Sequence, residues 1–109
     1  MQNVVKIKIN LNKSNLNAIV FILMNYEIKA NPSNFALKAL LSICEELCIK
    51  FEKKAISERK NTKNFNISLK YYEAFALEMI LRQFLLEENQ EFYIQNSANL
   101  IANQINVQL

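Results

Sequence analysis

The stretch KIKINLNKSNLNAIVFIL, Lys6 to Leu23, passes from strict alternation into helical spacing. Val5, Ile7, Ile9 and Leu11 fall on one side of an extended chain, and Lys6, Lys8, Asn10 and Asn12 on the other. Alternation with a period of two marks a half-buried strand. Leu16, Ile19, Leu23 and Tyr26 then recur at the spacing of an amphipathic helix, with Ser14 as its expected N-cap. This helix is expected to end near Ala30. Asn31-Pro32 restarts the chain, as a cap followed by proline at the first helical position, and a second helix runs to about Arg59. Its apolar stripe is Leu37, Leu40, Leu41, Cys44, Leu47, Cys48, Phe51 and Ala55.

The same rhythm returns 58 residues later, in FNISLKYYEAFALEMIL, Phe65 to Leu81. Ile7, Ile9 and Leu11 fall on Phe65, Ile67 and Leu69. Leu16, Ala18, Ile19, Ile22 and Leu23 fall on Ala74, Ala76, Leu77, Ile80 and Leu81. The cap Asn31 falls on Asn89, and Phe35, Ile43, Leu47, Ile49 and Phe51 on Tyr93, Ile101, Ile105, Val107 and Leu109. One gapless offset matches apolar type through four elements, although few residues are identical. The pattern predicts a helix-dominated α+β fold in the order β-α-α-β-α-α, one domain over residues 1–109. Pseudo-repeats 4–58 and 62–109 would be related by internal duplication about a pseudo-twofold. The plainer alternative is two unrelated strand–helix–helix runs of similar rhythm. Two strands do not make a stable sheet alone in water. The small antiparallel pair is therefore expected to carry four helices on its apolar face, with both outer edges left open to another chain.

Composition narrows the chemistry. The chain has 109 residues, 51% of them hydrophobic, with no Gly, no His and no Trp. Ordinary usage would supply about eight glycines. Without them the phosphate-cradling turns of nucleotide-binding loops cannot be built, because those turns need a residue without Cβ. Without histidine the commonest general base and metal ligand are missing. Sixteen asparagines take over the turn positions. High Asn, Ile and Lys also fits the codon bias of an AT-rich genome, as in an accessory protein of a phage or mobile element. The longest apolar run, Ala18 to Met24, is far short of the roughly 20 residues that span a membrane. The opening MQNVVKIKIN lacks the design of a signal peptide, so a cytoplasmic protein with no membrane partner is expected.

Cys44 and Cys48 stand four residues apart on the apolar stripe and read as small buried hydrophobes. A metal would need further soft ligands, so neither a metal nor another cofactor is expected. Glu45-Glu46 and Glu87-Glu88 are adjacent in sequence and diverge around their helices, so neither pair shares a proton. Tyr71-Tyr72 marks the junction of the second strand with the third helix. Amphipathic packing is its first reading and a binding anchor its second.

Two features bear on partners. On the third helix Glu78 and Arg82 form an i,i+4 pair that identifies a wet face; the matching positions on the first helix are Val20 and Met24. The first helix is thus apolar nearly all round, and Val20, Phe21 and Met24 are expected to contact a second chain, unless that helix is simply central in the core. The segment Lys50 to Lys63 carries six basic and two acidic residues, net +4 in a chain of net +3. Clustered cations neutralise phosphates, although cations at a helix C-terminus are more often a solvated end. The function expected is a non-catalytic protein–protein interaction or assembly module, a homodimer or a subunit of a larger complex, and not an enzyme. The alternative is a nucleic-acid-binding accessory protein using Lys53, Lys54, Arg59, Lys60 and Lys63.

Overall fold

A computed structural model of the chain describes residues 6–29, 35–87 and 90–109, with side chains described for 6–26, 38–87 and 90–109. Val5, Ala30, Asn31, Pro32, Glu88 and Asn89, and the side chains of Phe35 and Leu37, lie outside them. The elements are β1 (Lys6–Leu11), α1 (Lys13–Lys29), α2 (Phe35–Ser57), β2 (Phe65–Lys70), α3 (Tyr71–Leu85) and α4 (Phe92–Asn106). The expected order β-α-α-β-α-α is the order found, a compact α+β fold dominated by helix.

β1 and β2 pair antiparallel, with Ile7 opposite Leu69, Ile9 opposite Ile67 and Leu11 opposite Phe65. All six of these side chains are buried, while the alternate residues turn to the polar face. There Asn10 donates from Nδ2 to Asn66 Oδ1 (3.0 Å) directly across the strands, and Asn64 donates to Asn10 Oδ1 (3.0 Å). Ile9 and Ile67 are 58 residues apart, so the centre of the sheet sets a residue against its counterpart in the other half. Burial follows the same offset at several helix positions, but not at Phe51, which is buried while its match Leu109 is exposed. Leu16, Ile19, Ile22 and Leu23 are buried on α1, as are Ala74, Leu77, Ile80 and Leu81 on α3. Cys44 and Leu47 are buried on α2, as are Ala102 and Ile105 on α4. Phe51 is the largest wholly enclosed side chain.

Three details correct the reading from sequence. The first helix is capped by Asn12, not Ser14. Asn15 N–H donates to Asn12 Oδ1 (2.8 Å), and Asn12 N–H donates to Asn15 Oδ1 (3.2 Å). This is a capping box made from two asparagines. It wins because β1 ends at Leu11 and one residue suffices to turn the chain, which leaves Ser14 exposed inside the first turn. Secondly, the edge of β1 is not open. Asn10 N–H donates to Gln104 Oε1 (2.8 Å), and Gln104 Nε2 donates back to Asn10 O (2.8 Å). One strand pleat away, Lys8 N–H donates to Gln108 Oε1 (3.1 Å) and Gln108 Nε2 to Lys8 O (2.7 Å). Two side-chain amides, Gln104 from α4 and Gln108 from the turn after it, thus occupy the places of a third strand. Thirdly, Glu78 and Arg82 do pair (3.4 Å), but they do not make a freely wet face. Arg82 also donates to Asn103 (3.3 Å), and Glu78 accepts from Asn106 (3.1 Å), so the pair clamps α3 to α4.

The cap assignment separates two neighbouring polar residues. Asn12→Ala should lower stability by about 1 kcal/mol, whereas Ser14→Ala should be neutral, as read from urea midpoints of the two variants. Equal losses would place the cap elsewhere.

Candidate functional site

α3 has more apolar residues than one buried face can use. Ala74, Leu77, Ile80, Leu81 and Phe84 go into the core. Tyr71, Phe75 and Met79, at successive i,i+4 positions, form a second stripe that faces outward. Phe75 is 51% exposed and Met79 40%. Beside this stripe runs a groove of about 640 Å³ between α3 and α2. Ala39, Leu40 and Ile43 form its α2 wall; Tyr71, Tyr72, Phe75, Ala76, Met79 and Gln83 form its α3 wall. The volume lies within the range of ordinary ligand pockets, but the groove is open along its length. No charged side chain lines it among the described residues; the ammonium of Lys70 stands over the Tyr72 ring, 5.9 Å from its centroid.

The groove lies at a seam that closes differently from the α1–α4 seam. At the 58-residue offset, Ala39, Leu40 and Ile43 correspond to Ser97, Ala98 and Ile101. Those three are buried, and Asn15 Nδ2 donates to Ser97 Oγ (3.1 Å) to tie α1 to α4. The partner of that clasp cannot form in the other half. Ala39 has no polar side-chain atom, and the counterpart of Asn15 is Glu73. Glu73 is itself buried but turns away from the groove, accepting from Lys50 Nζ (3.0 Å) and from Lys70 N–H (2.8 Å). The α3 positions that line the groove, Tyr71, Tyr72, Phe75, Met79 and Gln83, match Lys13, Ser14, Asn17, Phe21 and Asn25 on α1. One seam is thus closed, its matching α1 positions polar except for Phe21; the other is open and rimmed largely by aromatics.

Of the residues singled out in the first helix, Val20 is half-buried against the core, while Phe21 and Met24 are each 47% exposed. None of the three lines the groove. The basic residues separate into two groups. Lys53 and Lys54 lie on α2, where they join Lys50 along a trough of about 510 Å³ beside β2. Lys54 pairs with Glu58 (3.2 Å) and stands 5.6 Å from the centroid of the Phe65 ring. Arg59 and Lys60 occupy the turn after α2, and Lys63 the approach to β2; all three are exposed. The Arg59 carbonyl accepts from Lys13 Nζ, which fastens that turn to the start of α1.

Cys44 and Cys48 are buried thiols, and Cys44 Sγ donates to Leu23 O (3.4 Å). Among the described residues no cluster of His, Cys, Asp or Glu is arranged to hold a metal ion, and no helix is long and apolar enough to cross a membrane. Two groups have displaced titrations. Burial raises the Tyr26 phenol, with Cys44 adding to the effect; the Asn61 side chain, followed by Lys54, lowers the Glu58 carboxyl. Neither group lines the groove. Compared with protein-family models, curated proteins and solved structures, the chain matches none.

Tyr71-Tyr72 was legible as a junction, and both side chains are exposed on the α3 wall of the groove. The Phe75–Met79 continuation was missed. The available signal was a fifteen-residue helix with apolar residues on well over half of its circumference.

The Lys50–Glu73 contact holds α2 beside α3 at one end of the groove. Glu73→Ala removes that tie and the acceptor for Lys70 N–H together, and should cost about 2 kcal/mol. Lys50→Ala, which leaves the acceptor in place, should cost less. Chemical denaturation of both variants checks the order.

Proposed function

We propose that the chain is a non-catalytic protein–protein interaction module that assembles with a second copy of itself through the α2–α3 groove. The observation that carries this reading is the outward stripe Tyr71–Phe75–Met79 set against Leu40 and Ile43. Covering a half-exposed Phe or Met contributes on the order of 1 kcal/mol each, and aromatic side chains are the usual anchors of such contacts. The absence of charge along the lining, among the described residues, supports self-assembly in particular. A twofold contact sets the same patch of both copies face to face, so a neutral surface meets itself without like-charge repulsion. Phe21 and Met24, with Val20 behind them, are a second candidate contact of the same chemistry on α1. The buried thiols suit a reducing compartment, and the proposed location is the cytoplasm. The glycine-free, asparagine-rich composition fits an accessory protein of a phage or mobile element.

Light scattering after gel filtration should give two chains per particle. Phe75→Glu should give one, with its helical circular dichroism intact. Phe21→Glu combined with Met24→Arg should stay dimeric. A wild-type monomer at high concentration would end the self-assembly reading; a dimer that survives Phe75→Glu but not the α1 double variant would move the contact to α1.

The second reading is nucleic-acid binding through Lys53, Lys54, Arg59, Lys60 and Lys63. It is favoured by the net +4 of residues 50–63 and by the exposure of Lys53, Arg59, Lys60 and Lys63. It is opposed by the engagement of Lys54 with Glu58 and by a trough with no aromatic side chain among the described residues to stack a base. Labelled single-stranded and duplex oligonucleotides should show no retardation at low salt. Retardation that is lost on reversing the charge of Lys53, Lys60 and Lys63 would establish this second reading instead.

A further inference from the structure

The two edges of the sheet are unlike. On β1 the outward N–H and C=O groups of Lys8 and Asn10 are filled by Gln108 and Gln104. Because backbone groups alternate sides along an antiparallel strand, the outward groups of β2 are those of Asn66 and Ser68. The α2 residues matching Gln104 and Gln108 are Glu46 and Lys50. Glu46 is exposed, and the Lys50 ammonium is held by Glu73. No side chain among the described residues bonds the outward backbone groups of Asn66 and Ser68. They border the 510 Å³ trough whose other wall is Lys50, Lys53, Lys54 and Ser57.

We propose that the β2 edge accepts an extended acidic segment of another protein as a third strand. Its backbone would exchange hydrogen bonds with Asn66 and Ser68, and its carboxylates would meet Lys53 and, in competition with Glu58, Lys54. An open edge supplies affinity through main-chain bonds and leaves choice of partner to the flanking side chains. Here those flanking side chains are cationic. The same cations disfavour a second copy of this chain, because antiparallel β2–β2 pairing would bring two sets of lysines together about the twofold. A nucleic acid matches the charge but has no amide ladder to pair with the strand. This surface is separate from the α2–α3 groove, so loss of either contact leaves the other measurable.

The probe is a capped peptide of alternating Glu and Val, followed by amide NMR on the full chain. Before peptide is added, the amides of Asn66 and Ser68 should exchange freely, while those of Lys8 and Asn10 are protected. Peptide should shift and protect Asn66 and Ser68. The same peptide with alternate amides N-methylated keeps its charge but cannot pair, and should not bind. Ser68→Pro removes an outward N–H without breaking the ladder to β1 and should abolish binding. Lys53→Glu, at an exposed site, should weaken it by roughly fivefold or more with the fold unchanged. Equal binding of the N-methylated peptide, or of a single-stranded oligonucleotide, would reduce the site to a polyanion patch and overturn the proposal. Protection of Asn66 and Ser68 without peptide would overturn it too, since the edge would already be occupied.

Discussion

A two-stranded sheet has no interior strand, so its stability comes from what covers it. In this chain the cover is unequal on the two faces and on the two edges, and the rest of the molecule follows from that. One face carries Ile7, Ile9, Leu11, Phe65, Ile67 and Leu69 into the core. The other face is polar, held across the strands by Asn10 and Asn66. Ile9 opposite Ile67 fixes the register. A slip of one residue would put lysines and asparagines into the core and isoleucines into water.

Around that centre several buried helix positions match at an offset of 58 residues, while the seams between helices differ. At the α1–α4 seam, Ala98 and Ile101 are buried, Ser97 holds Asn15, and Gln104 and Gln108 reach past to the backbone of β1. At the α2–α3 seam the matching residues offer neither clasp nor amide. Ala39 cannot bond, Glu73 is committed to Lys50 and Lys70, and Lys50 stands where a glutamine would have reached the strand. A few side-chain differences therefore leave both an apolar groove and an open strand edge on the same half of the molecule. The closed half suits a structural role, and the open half holds the surfaces proposed for partners.

The two open surfaces differ in sign. The described lining of the groove is neutral and aromatic; that of the trough beside β2 is cationic. Surfaces that meet their own copies tolerate neutrality better than charge, and a cationic edge selects partners of opposite sign. This separates a contact suited to self-assembly from one suited to a foreign strand without appeal to any relative.

Much of the fold was legible in the sequence because periodicity is a local property. Alternation in KIKINL and FNISLK fixed both strands, and three-to-four-residue spacing fixed the helices and most of the buried stripe of α2. The placement of Cys44 and Cys48 in the core followed from the same spacing. The cap at Asn12, the clamp of Glu78 and Arg82 onto α4, and the sealing of β1 by Gln104 and Gln108 were not legible. Each depends on which groups become neighbours across sequence separations that no periodicity records, or, for Asn12, on where the strand stops. The candidate groove shows the division most clearly. Composition gave α3 its surplus of apolar residues, but only packing decided that Phe75 and Met79 face outward while Leu77 and Ile80 face in. A helix has one azimuth, and its neighbours set it.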